Sequence, residues 1–232
     1  MKKYILIAST LMVTYMTNAQ VNDIPIIGNK FTFGVDGGLA VPSSDYASTT
    51  ALPGSSGTTD GFAKTGFCYD AYAGFKFSKL IGVMALYGSN INSFNTSKLN
   101  SDLPSSWSYS SNGGYTVNEY LIGPYLSIKL TKIKIEVKLL GGLVTSNYPQ
   151  LSGSSTLNGV TTTVVSSYST GNGFGYCAGA KVKYMMVGGM LGLGVGLNYV
   201  GSDVNFTGQN STPNSKMNIG IIQATLGVSI DI

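Results

Sequence analysis

The sequence predicts an all-β fold, an eight-stranded antiparallel up-and-down barrel that crosses a membrane. Three observations predict it. The first is alternation in residues 120–143, YLIGPYLSIKLTKIKIEVKLLGGL, folded about a two-residue turn at Thr131 and Lys132. One face carries Tyr120, Ile122, Pro124, Leu126, Ile128 and Leu130 opposite Ile133, Ile135, Val137 and Leu139. The other carries Tyr125, Ser127 and Lys129 opposite Lys134, Glu136 and Lys138. Period-2 alternation marks a strand with one apolar and one polar side, and the strands of a tight hairpin must agree on the sides.

The second observation is composition. Only 10% of the 232 residues are charged and 43% are hydrophobic. A soluble surface usually needs roughly 25–35% charge. Turning the apolar face to lipid removes the conflict and leaves the few charges to meet one another inside. On the lipid side near the midplane each Lys would cost ~2–4 kcal/mol, so Lys129, Lys134 and Lys138 must point inward. The third is that no run approaches the ~20 apolar residues of a membrane-spanning helix. A closed barrel is the other way to satisfy the backbone in lipid.

Residues 1–19 read as a secretory signal: Lys2 and Lys3, an apolar stretch from Tyr4 to about Met16, then Thr17-Asn18-Ala19 as the cleavage site. Residues 20–29 form a short periplasmic segment, and 30–232 the barrel. With 14 basic residues against 10 acidic, removing the two signal lysines leaves +2, too mild to indicate nucleic acid.

Eight strand-like segments follow. Residues 30–41 put Phe31, Phe33, Val35, Leu39 and Val41 on one face and Asp36 on the other. Residues 66–77 place Tyr69, Ala71, Ala73, Phe75 and Phe77 outward and Asp70, Tyr72 and Lys76 inward. In 80–94, Ile81, Val83, Ala85 and Tyr87 compete with Met84 and Leu86 for the lipid face. The fourth and fifth segments span about 115–147. Residues 174–186 and 189–204 suggest a hairpin about Val187-Gly188 that pairs Tyr184 with Leu191, Val182 with Leu193 and Ala180 with Val195. Lys183 and Lys181 then fall opposite Gly192 and Gly194. The eighth, 217–232, alternates Ala224, Leu226, Val228, Ile230 and Ile232 against Gln223, Thr225, Ser229 and Asp231. Two- or three-residue connections alternate with long Ser-, Thr-, Gly- and Asn-rich ones at 42–65, 95–114, 148–173 and 207–216. Short turns on one side and long loops on the other describe a bacterial outer-membrane barrel with its termini in the periplasm.

With these strands, loops and the ending ATLGVSIDI, the chain resembles the outer-membrane β-barrel protein family, the small eight-stranded barrels related in architecture to outer-membrane proteins A and X. The ending departs from the family's pattern by closing on Ile232, where an aromatic residue is usual. Some members are called porin-like, and others resemble PorT, a barrel of the type IX secretion system. The resemblance implies location in the bacterial outer membrane after cleavage near Ala19, contact with outer-membrane lipid, and no cofactor. It also implies envelope protein partners met through the long loops or the periplasmic face. The expected role is a non-enzymatic structural or interaction module; the alternatives are a subunit of a secretion machine or a small diffusion channel.

The inward charges are Asp36, Asp70, Lys76, Glu119, Lys129, Lys134, Glu136, Lys138, Lys181, Lys183 and Asp231, six lysines against five acids. Eight strands leave an interior only about wide enough for side chains, so these charges read as a self-neutralising plug rather than an ion path. The chain has no His, which excludes Ser-His-Asp triads, Cys-His pairs and His-ligated metals; no catalytic or metal residue is assigned. Cys68 and Cys177 point inward from opposite sides of the ring and are expected as two free thiols. Phe31, Phe75, Phe77, Tyr69, Tyr87, Tyr120, Tyr176, Tyr184 and Tyr199 cluster towards strand ends as interfacial girdles. The glycine string at 192–196 has no following helix, so it is no dinucleotide site.

Overall fold

The computed structural model describes residues 30–50, 57–58, 60–157, 160–209 and 214–232. The signal and the segment 20–29 lie outside the described residues. Eight long strands follow in order: β1 (Phe31–Ser43), β2 (Gly66–Lys76), β3 (Ile81–Ser93), β4 (Gly114–Leu130), β5 (Ile133–Asn147), β6 (Gly171–Met186), β7 (Leu191–Phe206) and β8 (Ser215–Asp231). Each pairs antiparallel with the next, and β8 pairs back onto β1 from Thr32↔Asp231 to Ser43↔Gly220. The predicted all-β, eight-stranded, up-and-down barrel is therefore the observed fold, and closure leaves the ring no edge strand.

The β4–β5 hairpin has the predicted register, Leu130 opposite Ile133, with Thr131 in the left-handed region at φ 50°. The β6–β7 hairpin does not. Tyr184 faces Leu193, Val182 faces Val195 and Ala180 faces Leu197, a shift of two residues from the predicted pairs. The cause is the turn: Val187–Gly189 forms a single helical turn, with Gly188 at φ 65° and Gly189 at φ 87°, which lengthens the connection. Only glycine enters that backbone region freely. A slip of two keeps every side chain on its face. Lys183 and Lys181 now lie opposite Gly194 and Gly196 rather than Gly192 and Gly194. A Cβ on Gly194 would come within 2.9 Å of both lysine stems, so the missing side chain makes room for them.

In β3 the competition for faces resolves inward for Met84 and Leu86, 2% and 4% exposed, with Val83 and Tyr87 outside. The long connections are not plain loops. Helix α1 (Ser44–Ala47) follows β1, and α2 (Thr96–Ser101) follows β3. Asn95 caps α2 by accepting from the Lys98 amide. Strands 107–112, 150–157, 160–168 and 208–209 build a separate four-stranded sheet above the barrel, so Trp107 and Tyr109 sit in a strand.

Seen from outside, seven strands carry an apolar stretch of the same length. It covers residues 31–41, 67–77, 81–91, 120–130, 133–143, 174–184 and 222–232, eleven each, and 191–199 in β7. Within these stretches every outward side chain is apolar or aromatic, save Ser89 and two glycines at 37 and 141. Beyond them, towards the loops, the outward positions become Thr116, Asn118, Thr145, Asn147, Asp203, Asn205, Lys216 and Asn218.

Candidate functional site

The inner faces of the strands supply what function there is to look for. They are filled in three storeys. Nearest the turns, Lys134 Nζ lies 2.8 Å from both Glu136 Oε1 and Asp231 Oδ2. Thr32 Oγ1 accepts from Lys134 at 3.2 Å and donates to Asp231 at 2.8 Å. The second Glu136 oxygen holds Lys183 Nζ at 2.7 Å. Lys181 pairs with Asp36 and donates to the Tyr72 hydroxyl at 2.9 Å, while the ammonium groups of Lys181 and Lys183 lie over the Tyr72 ring at 4.8 and 5.1 Å from its centre. Lys134 and Lys183 are 1% and 0% exposed. Charges this far from water need partners, and removing one partner of such a pair costs about 3–5 kcal/mol.

The middle storey is polar but differently made. Glu119 accepts from Asn90 and from Gln223, the latter at 3.1 Å, and Gln223 is held in turn by Asn198 at 3.0 Å. Neither Asp70 oxygen has a hydrogen-bond partner, and no lysine lies within ion-pair distance of Asp70 or Glu119 among the described residues. The plain pairing of each carboxylate with a lysine thus holds only in the lower storey. Lys138, half-buried, lines a small cavity with Asp36, Tyr72, Glu136 and Lys181. Lys76 is half-buried, and Lys129 is exposed in the turn-side mouth, its Nζ beside Gly189.

The loop-side storey is apolar. Val117, Val144, Val200, Val204, Ile219 and Met217 point into the mouth and are fully buried there. Residues after β1 fold back onto them: Tyr46 of α1 is 0% exposed and Phe62 1%. Tyr115 stands at the centre, its ring 4.9 Å from Tyr46 and 5.3 Å from Tyr148, its hydroxyl donating to the Gly61 carbonyl at 2.7 Å. Tyr148 continues the stack to Phe206 at 5.6 Å. Burial raises the Tyr46 and Tyr148 hydroxyls, both beyond the strand ends, above the usual phenol range, which keeps them neutral.

Two groups of residues escaped the reading of the sequence. Asn90 and Asn198 lie on inner faces at the level of Gln223, a position that alternation alone fixes. The apolar mouth also has a signal, since the inward positions of β8 change from Gln223 and Thr225 to Ile221, Ile219 and Met217. The aromatic set divides between two levels. Phe31, Phe75, Phe77 and Tyr184 stand near the turns, with Phe31 and Phe75 rings 5.0 Å apart. Tyr69, Tyr120, Tyr176 and Tyr199 stand near the loops, where Tyr120 meets Tyr87 at 5.3 Å and Tyr176 meets Tyr199 at 6.1 Å.

Cys68 and Cys177 are both buried free thiols. Thiol reagents are expected to leave the folded barrel unlabelled and to modify two thiols after denaturation without reductant. Labelling in the folded state would show that the interior admits small molecules.

No family model matches the chain, and no curated protein matches it. Among solved structures it is similar to Neisserial surface protein A, with 15% identity and a TM-score of 0.47 over 87% of this chain and 97% of that one. It is also similar to Ail, the attachment invasion locus protein of Yersinia pestis, at 10% identity and 0.44 over 88% and 100%. A major outer membrane protein from Thermus thermophilus follows at 11% and 0.43 over 87% and 99%. The fold is assigned on the chain's own geometry: a closed, eight-stranded, antiparallel up-and-down β-barrel, apolar outside and filled inside.

Proposed function

We propose that this chain is an integral outer-membrane barrel, delivered by cleavage of a signal near Ala19, that anchors an ordered crown of loops for contact with another envelope or extracellular component. The observation that carries the reading is the apolar band wrapped round a filled interior. Eleven residues at about 3.3 Å each, tilted by about 45°, cover roughly 25 Å, the height of the apolar band on barrels of this kind. Both levels of aromatic rings sit at its borders, where amphipathic rings favour the interface. The barrel then serves as a support, and its loop sheet, from 107–112 across to 208–209, is the part that faces outward.

A channel is the less favoured role, because an apolar plug and an ion-paired layer lie in series along the axis. The absence of His leaves the non-enzymatic reading as the better one. Purified, refolded protein is expected to migrate differently on SDS gels before and after boiling, and to give no discrete conductance steps in planar bilayers. Identical migration would overturn the membrane barrel; steps of uniform size would overturn the plugged support. Recovery from outer membranes in mild detergent with stoichiometric companions would identify the contact.

A further inference from the structure

Charge is distributed unevenly along the barrel axis. At the turn end stand Lys30, Lys76, Lys79, Lys129 and Lys132, four of them exposed and Lys76 half-buried. They are neighbours around one side of the ring. Lys76 donates its amide to the Lys30 carbonyl at 2.8 Å, joining the start of β1 to the end of β2. Lys79 occupies the β2–β3 turn, and the adjacent Leu80 carbonyl accepts from Ser127 of β4 at 2.7 Å. Lys129 lies next to the last residue of β4 and Lys132 lies in the β4–β5 turn. The nearest acidic side chains, Glu136 and Asp231, are buried and held by Lys134.

The loop end is different. Its acids Asp45, Asp60, Asp102 and Asp203 stand against Lys64, Lys98 and Lys216, and two of these pairs close at 2.9 and 3.0 Å. So five positive charges crowd one rim with no ion pair among the described residues, while the other rim is near balance. Like charges gathered on one rim repel one another, and an anionic surface beside them relieves that repulsion. Lys30, Lys79 and Lys132 are also sequence neighbours of the band's edge: Phe31, then Phe77 and Leu80, then Leu130 and Ile133. Long stems let such ammonium groups rise from an apolar border to the polar layer beside it.

We infer that the members of this arc outside the mouth, Lys30, Lys79 and Lys132, bind the phosphate headgroups of anionic phospholipids, holding the turn side of the barrel in a phospholipid leaflet. The inference rests on the membrane reading above. A lysine beside an anionic lipid surface gains roughly a fivefold preference, and the attraction falls off within about 8–10 Å at moderate salt. The side of the ring formed by β6, β7 and β8 lacks the arc: its turn, Val187–Gly189 followed by Met190, has no charge. Binding is therefore placed on the β1–β5 side.

The test reconstitutes the full barrel in phosphatidylcholine vesicles carrying trace spin-labelled phosphatidylglycerol or phosphatidylcholine, and reads the relative association constant from the motion-restricted signal. Wild type is expected to favour phosphatidylglycerol several-fold at low salt and to lose the preference in 1 M salt. The triple variant Lys30→Gln, Lys79→Gln, Lys132→Gln should fall to a ratio of about one while keeping its unboiled gel migration. A wild-type ratio of one, or a variant that keeps the preference, would overturn the arc but leave the membrane barrel standing. Failure of wild type to insert into phosphatidylcholine vesicles would overturn both.

Discussion

Replacing Glu136 by Gln is expected to lower the stability of the barrel by about 3 kcal/mol, the low end for one partner lost from a buried pair. Glu136 bridges two lysines, at 2.8 Å to Lys134 and 2.7 Å to Lys183. Lys134 keeps Asp231 in the variant, but Lys183 keeps no other ion pair among the described residues and is 0% exposed. Gln has nearly the volume of Glu, so no cavity enters the comparison; the loss is one of charge alone. Asp70→Asn is the control. Asp70 is as deeply buried, at 2%, yet makes no hydrogen bond through either oxygen. Removing a buried charge without an ion-pair partner removes a desolvation cost, so that variant is expected to be neutral or more stable. The midpoint of the gel-shift transition with temperature reads both. Equal midpoints for the two variants would show that the lysine–carboxylate layer contributes nothing specific.

Tyr115→Ala is expected to loosen the loop end while leaving the lower barrel closed. A buried aromatic truncated to Ala costs about 3–5 kcal/mol. Here the loss falls on one storey, because Tyr115 is the ring on which Tyr46 and Tyr148 both pack and the donor that ties Gly61 down. The backbone at Lys64 is fixed nearby, its amide donating to Ser93 at 2.9 Å and its carbonyl accepting from Asn92 at 2.8 Å. Limited trypsin digestion should therefore cut after Lys64 in the variant and spare it in wild type, with the unboiled gel migration retained by the cleaved barrel. A variant that resists trypsin like wild type would remove Tyr115 from its central place in the plug. One that loses the folded migration altogether would show that plug and barrel fold as one unit.

Much of the architecture was legible because alternation is a local signal. Alternation states which residues of a strand share a face, and hydrophobicity states which face is the apolar one. Of the eleven charges expected inside, eight are buried, Lys76 and Lys138 are half-buried, and Lys129 is exposed at the turn-side mouth. Alternation failed in β3, where Met84 and Leu86 are as apolar as the residues outside; inside, they pack among other buried hydrophobic residues. It also gave the wrong partners in the β6–β7 hairpin, since a shift of two preserves the faces and only the glycine turn distinguishes the registers.

What the sequence determined by itself is the fold class, the sides of every strand but β3 and the absence of His chemistry. These follow from period, composition and residue type, which need no knowledge of neighbours. Tertiary structure alone decided which charges pair. Glu136 with Lys183 joins strands β5 and β6, Asp36 with Lys181 joins β1 to β6 across the ring, and Glu119 is held by the amides of Asn90 and Gln223 rather than by a lysine. It alone decided, too, that the chain after β1 turns back into the mouth, where Tyr46 and Phe62 complete an apolar plug. The physical reason is common to both. A strand fixes the direction of its side chains, but the closing of the ring fixes what lies opposite them.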